Sequence, residues 1–197
     1  MQGVRWTIIA LLGIFLLAIG FSFPLVVFLS GDAPASESFG LKGKVDLILY
    51  DNSGEIKEER HLDNMIVASG VAGIANKIAP SLASTVSSST PYNYIGLGTG
   101  NTAVEATQTA LIAELPIGAS YARVQDADAI YSTASGSSKI ILSVTFPPGQ
   151  GTGTLNESGI FDSSSAGNML ARQTFAEIQK AAGDTLTVTW TITLSPS

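Results

Sequence analysis

A single histidine, His61, stands in the charged stretch Glu55–His61 (EIKEERH), with Glu58, Glu59 and Asp63 close by. An imidazole beside carboxylates is the donor set of a zinc site, or the base of a Ser-His-Asp relay. A zinc site needs converging ligands, whereas these residues follow one another along a charged run that reads as a solvated strand. No G-x-S-x-G elbow accompanies the histidine. The chain has no cysteine, which excludes disulfides, thiolate metal sites and Cys nucleophiles. Asp126 and Asp128 (QDADA) offer oxygens of the kind calcium takes, yet two carboxylates fall short of the roughly six to eight ligands that ion requires. Asn156-Glu157-Ser158 is the chain's one N-x-[ST] sequon, making Asn156 a candidate glycan acceptor if the source glycosylates exported proteins.

The second chemical candidate is YIGLGTGNTA (Tyr94–Ala103). Glycines in this pattern let backbone N–H groups approach a nucleotide or S-adenosylmethionine at a strand-to-helix turn within βαβ units. Tyr94 occupies the place where such methyltransferases carry an acidic residue. No convincing crossover helix follows, and the downstream chain alternates as antiparallel strands. The string therefore reads as a glycine-rich turn between strands, with no cofactor.

The elements that would position these residues are mostly strands. Lys44–Tyr50 alternates Val45, Leu47 and Leu49 with Asp46, Ile48 and Tyr50, turns at Asp51-Asn52-Ser53-Gly54, and returns as a charged strand resembling a protected edge. Ala68–Ile78 carries Val71, Ile74, Ala75 and Ile78 at helical spacing and reads as the domain's one short helix. A Ser/Thr/Pro loop, Ala79–Pro91, leads to further strands at Tyr92–Leu97, Ser120–Gln125, Ser138–Phe146, Leu155–Asp162, Asn168–Phe175 and Asp184–Leu194. Thr107–Leu115 reads as a helical or extended connector. In the last strand Leu186, Val188, Trp190, Ile192 and Leu194 take one face and five threonines the other, so one side meets a core and one meets water. Seven or eight such strands predict a mainly β protein, an antiparallel β-sandwich with one short helix, over residues 44–197.

Ahead of this domain, Trp6–Leu29 is uncharged for 24 residues. At about 1.5 Å per residue a helix of that length covers the roughly 30 Å of a hydrocarbon core. Residues 1–29 thus read as a transmembrane helix or signal-anchor. Arg5 on its N-terminal side and Asp32 and Glu37 beyond it place the domain outside the cytoplasm. Pro24 and the small-x-small sequence Ala33-Pro34-Ala35 leave a cleaved signal open, with secretion after cleavage near Ala35. A pilin-like assembly helix is a third reading, without the early Glu or the Lys/Arg-Gly processing site usual in pilins. Residues 30–43 form a polar tether, in which only Phe39 and Leu41 alternate as a donor strand would.

From the glycine turn onward the landmarks run GLGTG, TALIAEL, Arg123, a long strand, NESGIFD, MLARQTF and GDTLTVTWTITL. This order resembles phage tail-collar fibre and related virion structural proteins across roughly Tyr92–Leu194, most specifically at Glu157-Ser158-Gly159-Ile160-Phe161-Asp162. The resemblance implies an assembly role with no catalytic residues. Tail fibres do not ordinarily begin with a membrane-spanning segment, which suggests a membrane-tethered relative on a cell surface or in a membrane-containing virion.

Ten Lys/Arg against sixteen Asp/Glu give a net charge of −6, and no basic stripe exists to displace counterions from phosphates, so nucleic acid is not an expected partner. The sequence thus predicts a non-enzymatic structural or attachment protein without metal or cofactor. It would be held in a membrane by its N-terminal helix, with its domain on a cell surface or virion, and would associate with itself or with other structural subunits. The alternatives are a pilin-like filament subunit and a ligand- or glycan-binding module, whose aromatic platform would come from Tyr92, Tyr94, Tyr121 and Tyr131.

Overall fold

Alternating apolar residues build nearly everything that surrounds the candidate residues. The computed structural model describes residues 39–78, 90–134 and 136–196. Among the described residues the strands are β1 (Phe39–Tyr50), β2 (Ile56–Ile66), β3 (Tyr94–Gly98), β4 (Val124–Gln125), β5 (Ile130–Ala134), β6 (Ser137–Phe146), β7 (Gly153–Phe161), β8 (Met169–Lys180) and β9 (Thr185–Pro196), with one helix, α1 (Ala68–Ile78), after β2. The stretch Trp6–Leu29 and the loop at 79–89 lie outside the described residues. No helix among the described residues is long and apolar enough to cross a membrane.

The strands pair antiparallel in the order β4-β3-β7-β8-β2-β1-β9-β6-β5. Where two separate sheets were expected, hydrogen bonding runs through a single nine-stranded sheet that curls over itself. The passage between its halves is narrow: β2 meets β8 only at Met65↔Arg172 and Ile66↔Ala171. Earlier in β2, its charged residues pair with β1 alone, from Asn64 opposite Gly43 to Ile56 opposite Tyr50. The expected charged edge is therefore real over that length, although β2 ends as an interior strand. β1 begins at Phe39, so residues 39–43 of the polar stretch are strand, and it pairs with β9 along its whole length.

The curl closes around the larger of two buried apolar clusters among the described residues. Leu186, Val188, Trp190 and Ile192 of β9 are buried against Ile95 and Leu97 of β3 and Leu155 and Ile160 of β7, from the other half of the sheet. The Trp190 indole N–H donates to Ser158 Oγ of β7 at 3.3 Å, a buried hydrogen bond between strands far apart in sheet order. The threonine face of β9 is half-buried, with Thr189 and Thr187 exchanging hydroxyl bonds with Ser143 and Thr145 of β6.

The helix lies where the periodicity places it, and of its apolar residues Ile74 packs against the core whereas Val71 and Ala75 do not. Gly70, Gly73 and Asn76 are buried, while Val71 is 53 % exposed and Ala75 is exposed. The cause is close approach. A Cβ on Gly70 would stand 2.2 Å from the Leu170 carbonyl oxygen of β8, and one on Gly73 would meet the Tyr92 hydroxyl at 1.9 Å. Small residues let the helix backbone lie against the sheet, and Ser69 Oγ fastens it by donating to the Met169 carbonyl at 3.0 Å. Two other expectations also change. Of the strand expected at Ser120–Gln125 only Val124–Gln125 pairs along β3, and β5 is a strand the alternation pattern did not mark.

Candidate functional site

The glycine-rich turn is wrapped around a carboxylate of its own chain. Leaving β3, it presents the Gly100 N–H to Glu157 Oε1 at 3.1 Å. Returning through Leu111–Glu114, the chain adds the Ala113 N–H to Oε1 at 2.7 Å and the Ile112 N–H to Oε2 at 3.1 Å. Backbone N–H groups gathered this way form an anion-binding concavity. Here the anion is Glu157. The glycines are required because a Cβ on Gly98 or Gly100 would stand 2.5 Å from Glu157 Oε1.

Arg172 balances the charge. Its Nε donates to Glu157 Oε2 at 2.7 Å, and both side chains are 0 % exposed. Its Nη1 reaches the Thr102 carbonyl and Gln108 Oε1 at 3.1 and 2.8 Å. Gln108 in turn accepts from the Glu105 N–H and donates to the Ala103 carbonyl. One ion pair between β7 and β8 therefore organises the loop between β3 and β4 from Gly100 to Ala113. Breaking such a pair by removing one partner typically costs about 3–5 kcal/mol, because it leaves a buried charge uncompensated.

A second clamp holds the loop's return. Arg123 grips Glu114 through Nε–Oε1 at 2.6 Å and Nη2–Oε2 at 2.7 Å, a two-pronged match of planar groups. Its Nη1 donates to the Ser163 and Ala166 carbonyls of the β7–β8 turn at 3.1 and 2.6 Å, and its guanidinium lies 3.5 Å from the centre of the Phe161 ring. Tyr121 completes the group. It stacks beside Phe146, its oxygen accepts the Leu97 N–H at 2.7 Å, and its hydroxyl donates to Glu114 Oε1 at 3.3 Å. Burial raises the Tyr121 phenol well above its ordinary pKa of 10, and the Leu97 N–H partly opposes this. Beyond Phe161, Asp162 closes the β7–β8 turn by accepting both the backbone and side-chain N–H of Asn168, at 2.7 and 2.8 Å.

A third cluster ties the opposite turns. Lys180 is 1 % exposed, and its ammonium donates to the Pro147 and Asp184 carbonyls at 3.1 and 2.6 Å. Burial lowers its pKa, and Asp184 partly restores it. The Asp184 carboxylate accepts from Lys57 at 2.6 Å and from the Ala181 N–H at 2.9 Å, and these bonds, that to Lys57 first, hold its pKa below the ordinary carboxylate value.

The remaining sequence candidates are scattered. His61 is exposed on β2, with Nδ1 2.7 Å from Asp46 on β1 and Nε2 3.0 Å from Glu59. Both ring nitrogens are thus engaged by carboxylates, and the Asp46 bond is the main cause of its raised pKa. Asp126 is a staple that closes the curl. Its Oδ2 accepts the Ser143 N–H of β6 at 2.7 Å, its Oδ1 accepts the Asp128 N–H at 3.0 Å, and its backbone exchanges bonds with Asn93 beside β3. No group of three or more His, Asp or Glu residues converges as a metal site would require, among the described residues. Asn156 is half-buried at a bulge in β7, between Leu155 and Glu157. The four tyrosines do not form an exposed platform: Tyr121 is buried, Tyr92 and Tyr94 are half-buried, and Tyr131 alone is exposed.

The structure therefore brings the landmark residues Gly98, Gly100, Glu114, Arg123, Glu157 and Arg172 into two adjoining clamps. A family-level comparison matches residues 72–192 to the podophage GP4 fiber I protein gp80 family. The chain belongs to that family. None of the curated proteins matches it. The match runs from α1 to β9, so both clamps lie inside the gp80 family region and the β1–β2 hairpin lies before it. The expected resemblance to phage fibre and virion structural proteins thus holds at the level of a phage fibre family.

Residue pattern alone does not pair the charges within the clamps. A signal existed, since Glu157 and Arg172 are opposite charges interrupting two apolar strands, NESGIF and MLARQTF. Charges so placed are buried only when paired.

Proposed function

We propose that this chain is a non-enzymatic structural subunit of a virion fibre, a rigid β unit that acts by assembling with copies of itself or with other structural subunits. The observation that carries the reading is how its buried charges are used. Glu157, Arg172, Arg123 and Glu114 bond to backbone groups and to each other, fixing the loop between β3 and β4 to the sheet. Such an arrangement gives shape and stiffness, and membership of a fibre family gives that stiffness a use.

In this reading Trp6–Leu29 anchors the chain in a membrane with the β unit outside, on the virion or on the surface of the infected cell before release. Its uncharged length supports the anchor. Immunogold electron microscopy of purified particles, with antibody raised against the β unit, tests the whole reading. Gold on particle projections, lost when the gene is deleted, is the expected result. Particles that carry no label and keep their fibres after deletion would overturn it.

A further inference from the structure

The two borders of the curled sheet are finished differently. At the β4 border, Asp126 turns the chain back and takes up the Ser143 N–H of β6. At the other border β5 pairs with β6 on one side and with nothing on the other, among the described residues. An edge strand of this kind offers a row of backbone donors and acceptors to any extended partner, and proteins ordinarily block it with charge or proline. Ile130–Ala134 (IYSTA) contains neither. It also carries the two most exposed large apolar side chains of the described residues, Tyr131 at 67 % and Ile130 at 58 %.

We propose that β5 is a self-association edge, at which β5 of a second copy adds antiparallel across a two-fold axis through Ser132. This inference rests on the fibre-subunit reading, which supplies the second copy. At this edge charge does not oppose a second copy. At a net charge of −6 two copies repel each other over most approaches. Between two β5 strands no ionised side chains face each other. The register centred on Ser132 sets Tyr131 beside Thr133 of the second copy, so an aromatic and a β-branched neighbour meet across the strands. The Tyr131 ring is already oriented by its hydroxyl, which lies 2.9 Å from Thr133 Oγ1 and 3.2 Å from Ser138 Oγ. A five-residue edge buries less than the roughly 1,200 Å² of a stable interface, so the contact is weak for an isolated pair and gains strength from repetition along an assembly.

The absence of native cysteine makes a covalent trap clean. In the proposed pairing the two Ser132 Cα atoms lie about 4.5–5.5 Å apart, within disulfide reach. S132C in the full chain, solubilised in mild detergent and oxidised, is expected to give a disulfide-linked dimer at a yield at least fivefold above T152C, an exposed control outside β5. Adding I130D to S132C should cut that yield several-fold, and raising the salt should restore part of it as repulsion is screened. Equal yields for S132C and T152C, or a yield indifferent to I130D, would overturn the proposal. Particle labelling is a separate measurement, so a fibre subunit that assembles through another surface would give gold-labelled fibres and no trapped dimer.

Discussion

Glu157 and Arg172 meet across β7 and β8 with Oε2 2.7 Å from Nε, and neither side chain reaches solvent. The pair lies within two strands, yet its consequences are felt in the loop that leaves β3. The carboxylate accepts from Gly100, Ile112 and Ala113, and the guanidinium reaches Thr102 and Gln108.

Removing either partner strands the other. E157Q and R172M are each expected to lower unfolding free energy by about 3–5 kcal/mol, read from urea denaturation of the full chain. The double variant should lose less than the sum of the two, because no lone charge remains. Strict additivity would mean that the two groups are energetically independent.

The glycines provide a steric test of the same clamp. G98A and G100A place a methyl group 2.5 Å from Glu157 Oε1 and are expected to cost about 1–3 kcal/mol as overpacking. At Gly118 an added Cβ meets nothing within 4 Å, so G118A should stay within about 0.5 kcal/mol of the parent. Thermal or urea midpoints of the three variants decide the matter.

Much of this framework is legible in the residues. The β9 alternation gives both its length and its buried face, and the Asp51–Gly54 turn forms as its residues dictate, with Asp51 Oδ1 accepting the Ser53 and Glu55 N–H groups and Gly54 at φ 87°. The helix shows where pattern reading stops. Val71 and Ala75 carry the apolar period, but backbone approach to Leu170 is won by Gly70, which has no hydropathy to signal it. Tyr121 and Arg123 alternate as a strand would, yet both side chains serve the clamp and only Val124 and Gln125 remain to pair with β3. The Glu157–Arg172 and Arg123–Glu114 partnerships need the register of the sheet and the path of the loop, and composition carries neither.

The close approach at Gly70 predicts an unusual ranking. G70A, whose methyl group would collide with the Leu170 carbonyl, should destabilise by about 1–3 kcal/mol. V71S, at a position 53 % exposed, should change stability by no more than about 0.5 kcal/mol. A large loss for V71S with none for G70A would show that the helix packs on its apolar stripe.

Protonation should act at two places with opposite signs. His61 has a raised pKa, chiefly through Asp46, so its contribution is complete below its ordinary value of 6.5 and is lost as pH rises through the folded value. Asp184 has a lowered pKa, chiefly through Lys57, so its contribution is complete above its ordinary value of 3.8 and is lost as pH falls through the folded value. Urea midpoints measured from pH 3 to 9 should therefore show H61Q removing part of the decline on the neutral-to-alkaline side, and D184N removing part of the decline on the acid side.

The most direct test is amide hydrogen exchange at Gly100, Ile112 and Ala113, which sit in a segment without helix or strand and would ordinarily exchange fast. If Glu157 holds the loop, all three amides are protected nearly as well as those of β7, and E157Q releases them while β9 stays protected. Fast exchange of these amides in the unsubstituted chain, or protection that survives E157Q, would contradict the account.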